Sequence, residues 1–279
     1  MSEERDAPLA GVFGWPASHS KSPALHGHWL KRYGIRGWYL PLPVRPEDFA
    51  EVLKALPRMG FVGANVTMPH KAEAFRMADE ATPLARRLRA ANTLILREGR
   101  IFADNTDGFG FIENLRQNSP EWSPAAGPVT VIGAGGASRA VIAALAEAGA
   151  PEIRLLNRTL ANSEELQRDL DLPLKLLPME KLSEALEGAA LAVNATALGM
   201  AGGPPFDLDL SALAPGILAT DLIYAPLKTP FLAAAEKQGA RIVDGLGMLL
   251  HQARPGFAAW FGREPEVDEE LRRAVLEAA

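Results

Sequence analysis

The stretch Val129-Thr130-Val131-Ile132-Gly133-Ala134-Gly135-Gly136-Ala137-Ser138 reads as a buried strand running straight into a glycine turn and then a helix. Gly133 permits the tight turn, and Gly135 and Gly136 let backbone approach a pyrophosphate. A helix starting near Ala137 aims its unpaired N–H groups and positive dipole end at that anion. The match to G-x-G-x-x-G/A is imperfect, because Ser138 holds the third position. Serine is small enough for close helix–strand packing and can also donate a hydrogen bond to phosphate.

A glycine turn needs its context. The helical pattern Ala140 to Ala148 stops at Gly149, and Ile153–Leu156 supplies a second short apolar strand, which completes a βαβ unit. An NAD site carries Asp or Glu at the end of that second strand, for the ribose hydroxyls. This chain instead has Asn157-Arg158-Thr159, two neutral donors flanking a guanidinium suited to a 2′-phosphate, so the expected cofactor is NADP. The bland reading is an ordinary α/β turn with a surface arginine.

A chain of 279 residues suggests two domains, and 48% hydrophobic with 23% charged residues is ordinary for a globular protein. The net charge of −5 offers nothing global to nucleic acid or an anionic membrane, so an anionic ligand must be held by local donors. No apolar run is long enough to span a bilayer and Met-Ser-Glu-Glu-Arg-Asp is no signal peptide, which leads to the expectation of a cytoplasmic protein. The absence of cysteine excludes disulfides, thiolate metal sites and cysteine nucleophiles. Arginine makes up 21 of the 29 basic residues, and with 22 prolines this hints at a thermophilic or GC-rich source.

Ahead of the glycine unit, the pattern predicts strands at Leu9–Gly14, Trp38–Leu42 and Phe61–Thr67, and helices over Ala24–Tyr33 and Pro46–Leu56. Ser22-Pro23 reads as an N-cap and first helical residue, a start that would equally suit a carboxylate ligand flanked by Ser20. The third strand ends in Asn65-Val66-Thr67-Met68-Pro69-His70-Lys71, where Lys71 is either a functional cation at a strand mouth or a solvated helix residue. A strand pair, Asn92–Leu96 and Ile101–Ala103, leads to Asp104-Asn105-Thr106-Asp107-Gly108, where Asp107 is either an N-cap or a catalytic group. Gln117–Pro128 is turn-rich and linker-like. Beyond the glycine unit, strands are expected at Leu174–Leu177, Leu191–Thr196, Ile217–Tyr224 and Arg241–Val243, with a helix over Leu249–Trp260 and a last one over Asp268–Glu277.

Taken in order, Ser20-Lys21-Ser22-Pro23, Asn65 to Lys71, Ala91-Asn92-Thr93, Asp104 to Gly108, Gly133–Arg139, Asn157-Arg158-Thr159, Asn194-Ala195-Thr196, Tyr224-Ala225-Pro226 and Asp244-Gly245-Leu246-Gly247-Met248 resemble the shikimate dehydrogenase family over nearly the full length. The resemblance implies an α/β fold with a Rossmann-like NADP-binding domain (108–244) and a discontinuous α/β substrate-binding domain (1–107, completed by 245–279), with the cleft between them. It also implies substrate contacts from Ser20, Ser22, Thr67, Asn92, Tyr224 and Gln252, and a catalytic pair of Lys71 and Asp107. The implied cofactor contacts are Gly133, Ala134, Gly135, Gly136, Ala137, Ser138, Asn157, Arg158, Thr159, Gly245 and Met248. The expected partners are NADP(H) and shikimate or 3-dehydroshikimate, with no nucleic acid and no membrane, in a monomer or homodimer. Two positions depart from the family pattern: His70 stands where phenylalanine is frequent, and Ala197 where serine or proline is common.

The chemistry agrees. Reducing a ketone by hydride transfer generates an alkoxide that must be protonated, and the reverse needs a base, so a lysine and a carboxylate on one hydroxyl suffice without a metal. His26 and His28 are two apart on a helix and cannot face one ion, while His19, His70 and His251 are isolated in sequence. Two alternatives remain: a quinate/shikimate dehydrogenase using NAD or broader substrates, and an NADP-binding regulatory protein, which would leave the Lys71 and Asp107 motifs unexplained.

Overall fold

The computed structural model describes residues 7–18 and 20–278, so the polar start and His19 lie outside the described residues. The chain forms two compact units, one of residues 1–106 and 252–279 and the other of residues 107–251. Among the described residues no helix is long and apolar enough to cross a membrane.

The first unit opens with β1 (Leu9–Gly14), α1 (Ser22–Arg32), β2 (Trp38–Pro43), α2 (Phe49–Ala55) and β3 (Phe61–Val66). It continues with α3 (Lys71–Arg76), β4 (Glu80–Ala81), α4 (Pro83–Leu88) and the hairpin β5 (Thr93–Arg97) and β6 (Arg100–Asp104). The six strands lie in the order β2-β1-β3-β5-β6-β4, parallel across β2, β1 and β3 and antiparallel from β3 through β5 to β6. On one face Phe49, Leu53 and Leu56 pack against Phe13, Ala64 and Leu94. The ring of Trp29 on α1 meets Phe257 at 5.1 Å, and the Trp260 indole donates to the carbonyl of Leu94 at 3.0 Å, which ties the returning C-terminal chain to the sheet.

The second unit contains α5 (Asp107–Asn118), β7 (Val129–Ile132), α6 (Gly136–Glu147), β8 (Ile153–Asn157), α7 (Leu160–Leu170) and β9 (Leu174–Pro178). After α8 (Leu182–Leu186) come β10 (Leu191–Asn194), β11 (Leu218–Asp221), α9 (Pro230–Lys237) and β12 (Arg241–Val243). Then α10 (Leu246–Phe261) carries the chain back into the first unit, where α11 (Glu269–Glu277) ends it. All six strands are parallel in the order β12-β11-β10-β7-β8-β9, so the order reverses between β7 and β10. Ligands bind outside the carboxyl ends of strands at such a reversal. The buried strands explain themselves: both faces of a doubly wound sheet are covered, so β7 and β10 are buried at every residue.

Three local expectations change. The helix α1 begins one residue early, with Ser22 as its first residue and Lys21 at the N-cap without a side-chain cap; the Ser20 hydroxyl instead accepts the Ser22 N–H at 3.3 Å. The strand expected over Ile217–Tyr224 stops at Asp221, whose carboxylate accepts the Ile223 N–H at 2.9 Å and turns the chain out of the sheet. The linker-like stretch holds the end of α5 and a short 3-10 turn at Pro124–Ala126, inside the second unit.

Candidate active site

In the first unit the predicted residues Ser20, Ser22, Thr67, Lys71 and Asn92 occupy the carboxyl-end loops of the sheet and the helix starts that follow them, and Gln252 lies inside α10. Ser22 is buried at the start of α1. Tyr39 donates to Asn65 Oδ1 at 2.7 Å, and Asn65 Nδ2 donates to the Asn92 carbonyl at 3.1 Å and to Thr93 Oγ1 at 3.3 Å. Asn92 Oδ1 accepts the Thr106 N–H at 2.8 Å and the Thr93 hydroxyl at 3.0 Å, which leaves Nδ2 as the face it turns to Gln252 Oε1 at 3.1 Å. These amide orientations follow from the network. A single buried chain of polar groups therefore links Tyr39, Asn65, Asn92 and Gln252. Thr67 is half-buried just past β3; Lys71 is half-buried at the start of α3, and its carbonyl accepts the Ala91 N–H at 2.9 Å, beside Asn92.

The sequence alone singled out neither Tyr39 nor His26, and it treated Asn65 only as part of a motif. The available signal was a polar residue inside an apolar strand, Asn65 in Phe-Val-Gly-Ala-Asn-Val. His26 is fully buried, stacked on Tyr39 at 3.9 Å, and neither ring nitrogen makes a hydrogen bond of ordinary geometry among the described residues. Burial pushes its pKa down to about 3, with a smaller upward pull from the Asn65 side chain. Its folded value lies below the unfolded one, so the stability it confers is complete above pH 6.5 and is lost as pH falls towards 3. His26→Phe should flatten that limb, which has a slope of up to about 1.4 kcal/mol per pH unit. Urea unfolding of both proteins at pH 7.5 and 4.5 checks this; equal losses on acidification would remove His26 as the cause.

His70 accounts for its own departure from the family pattern. Its ring stacks on Phe49 at 4.5 Å, as an aromatic would, while Nε2 bonds the Val44 carbonyl at 2.8 Å.

In the second unit Gly133 has φ +105°, and a Cβ there would stand 2.8 Å from Thr196 Cγ2 and 3.0 Å from the Ala195 carbonyl, so only glycine fits. A Cβ built on Gly135 or Gly136 meets nothing within 4 Å. That open backbone, at the start of the 12-residue α6 and beside the strand reversal, fits a pyrophosphate. The buried Ser138 hydroxyl accepts the Gly135 N–H at 3.1 Å, so it shapes the turn from inside. Ala134 lies half-buried in the same turn and Ala137 half-buried at the start of α6. At the end of β8, Asn157 Nδ2 donates to the Thr159 carbonyl at 2.8 Å and leaves Arg158 and Thr159 exposed. Asp107 is buried in the first turn of α5, and Tyr224 is half-buried past β11, its phenol pKa raised by burial. Gly245 lies so close to the chain after β11 that a Cβ would stand 2.6 Å from the carbonyls of both Asp221 and Ile223, and Met248 follows in the first turn of α10. Among the described residues no three His, Asp or Glu side chains gather as a metal set.

Family models match three segments: the shikimate dehydrogenase substrate binding domain over residues 12–94, shikimate / quinate 5-dehydrogenase over 118–199, and the shikimate 5'-dehydrogenase C-terminal domain over 245–276. A shikimate dehydrogenase (NADP(+)) of Paracoccus denitrificans is 58% identical over 273 residues, covering 98% of this chain and 97% of that one. Among solved structures, a Thermus thermophilus shikimate 5-dehydrogenase in complex with NADP(H) and shikimate superposes with a TM-score of 0.85 at 37% identity, covering 96% and 99% of the two chains. A Corynebacterium glutamicum quinate dehydrogenase in complex with NAD gives 0.90 at 27% identity, covering 98% and 100%.

Proposed function

The chain belongs to the shikimate dehydrogenase family, and from that premise we propose that it catalyses the reversible NADP-dependent reduction of 3-dehydroshikimate to shikimate. The observation that carries the reading is the buried chain from Tyr39 through Asn65 and Asn92 to Gln252, which together with the buried Ser22 supplies hydroxyl and amide groups fitted to a small polyhydroxylated acid.

In this proposal Ser20 and Ser22, at the start of α1, take the substrate carboxylate, where the helix dipole favours an anion. Thr67, Asn92, Tyr224 and Gln252 hold the ring hydroxyls. Lys71 and Asp107 hold the reacting hydroxyl: the Lys71 ammonium gives its proton to the nascent alkoxide in reduction and the neutral amine takes it back in oxidation, while the Asp107 carboxylate accepts a hydrogen bond from that hydroxyl and orients it. NADP, when bound along Gly133–Ser138, Asn157–Thr159, Gly245 and Met248, supplies or takes up the hydride.

Because the serines touch the acid and not the reacting carbon, Ser20→Ala and Ser22→Ala should raise the KM for shikimate more than they lower kcat. Steady-state kinetics decide: a fall in kcat alone would move both serines out of the binding role.

Turnover of shikimate with NADP, followed at the nicotinamide absorbance and compared with NAD and with quinate, tests the whole reading. No turnover of shikimate with NADP sinks it. Quinate turned over as well as shikimate, or NAD used as well as NADP, would instead make the chain a broader quinate/shikimate dehydrogenase.

A further inference from the structure

Asp221 is fully buried at the carboxyl end of β11, on the edge where the glycine turn lies. Its Oδ2 accepts from Asn194 Nδ2 at 3.0 Å and from the Thr229 hydroxyl at 2.6 Å, and its Oδ1 accepts the Ile223 N–H at 2.9 Å. Burial raises its pKa, and these donors draw it back down. A carboxylate in such a place only accepts, so Asn194 must present its NH2 side to it. The other side of that amide is then fixed: Asn194 Oδ1 accepts the Thr196 N–H at 3.1 Å and the Thr196 hydroxyl at 2.7 Å. With its proton committed, Thr196 Oγ1 accepts the Leu198 N–H at 3.0 Å. The side-chain hydrogen bonds that Asn194 and Thr196 make with each other and with the Leu198 N–H therefore take their direction from one carboxylate. The loop lies against the cradle: the Ala195 N–H donates to the Ile132 carbonyl at 2.8 Å, and Thr196 Cγ2 stands 2.8 Å from where a Gly133 Cβ would be.

We propose that Asp221 is a positioning residue for the cofactor, fixing the Asn194 amide and through it the loop that backs the glycine turn. The proposal rests on the NADP reading above and adds to it a group that touches neither cofactor nor substrate. In Asp221→Asn a single oxygen must serve either the Ile223 N–H or the Asn194 and Thr229 donors, and where it stays on Ile223 an NH2 faces the NH2 of Asn194. Asn194 then flips its amide, which releases Thr196, or loses the bond, which leaves the amide that holds Thr196 no longer anchored. Exchanging the two residues, Asn194→Asp with Asp221→Asn, restores a donor facing an acceptor and leaves a carboxylate to receive both Thr196 groups.

The experiment has three readouts on the wild type, the single variant and the exchanged pair: NADPH dissociation by fluorescence titration, the KM for shikimate, and hydrogen exchange of the Thr196 and Leu198 amides in the protein alone. Asp221→Asn should weaken NADPH about tenfold, equivalent to about 1.4 kcal/mol, and leave the shikimate KM within about twofold. It should also speed exchange at the two amides, and the exchanged pair should recover all three readouts. Unchanged NADPH affinity in the single variant overturns the proposal. So does an equal loss for both ligands that the exchange does not repair, which would mark Asp221 as a general brace. If the single variant does not fold, the exchanged pair decides by the same NADPH titration: near wild-type affinity supports the proposal, and weak binding or failure to fold overturns it. Failure of the parent reading looks different, because the wild type itself would then not bind NADPH or turn over shikimate.

Discussion

Lys71→Ala should lower kcat by about 10²–10⁴-fold, and Asp107→Ala should do the same, while NADPH binding should stay at the wild-type level. General acid–base help is worth that much, and both residues are assigned to a single proton on a single hydroxyl. Because they act on that proton together, removing both costs much less than the product of the single losses. A double-mutant cycle on kcat, with cofactor affinity measured in parallel, separates the possibilities. Additive losses would mean the residues work independently, and wild-type turnover from Lys71→Ala would return lysine to the role of a helix residue at the head of α3. Asp107, buried in the first turn of α5, has a second effect to watch: an acidic group there also stabilises the helix start, by about 0.3–1 kcal/mol. The kcat loss must therefore be read on protein shown to be folded at the assay temperature.

Arg158→Ala should weaken NADP by about ten- to a hundredfold and leave NAD almost unchanged. The exposed guanidinium at the end of β8 is free to pair in a bidentate manner with a 2′-phosphate, a charge-assisted contact of about 1.5–3 kcal/mol. The Asn157 side chain is turned back onto the Thr159 carbonyl, so the strand-end turn keeps its shape without the arginine. Equal losses for the two cofactors would remove Arg158 from cofactor choice.

The readable part of this chain is the part where one residue type answers to one local demand. The glycine turn is such a place, because Gly133 has a backbone conformation and a clearance that no other residue meets. So is the hairpin between β5 and β6, turned by Glu98 and Gly99 at positive φ. The buried network resisted reading for the opposite reason. Tyr39, Asn65 and Thr106 are far apart in sequence; what makes them a set is the register of β3 with β5 and the return of the chain at Gln252. Asp221 was hidden inside a predicted strand, since Leu-Ala-Thr-Asp followed by Leu-Ile-Tyr has an unbroken strand composition. Only the Ile223 N–H, captured by the Asp221 carboxylate, shows that the strand ends there. A hydrophobic pattern records what is buried and leaves out which buried donor has which acceptor.

The chain leaves the first unit at Thr106 and comes back at Gln252, and those two residues are bonded to each other, the Thr106 hydroxyl donating to the Gln252 carbonyl at 2.8 Å. Everything from Asp107 to His251 is therefore a loop closed by that contact. A disordered loop of this length costs about 4 kcal/mol to close. A folded one whose ends already lie side by side avoids that cost, so the inserted unit works as an entropic clamp. It holds α11 and the end of α10 at high effective concentration over the sheet they complete. Melting the insertion would leave every contact of the first unit chemically intact and still loosen its C-terminal helices, because the tether that brings them home would have become slack.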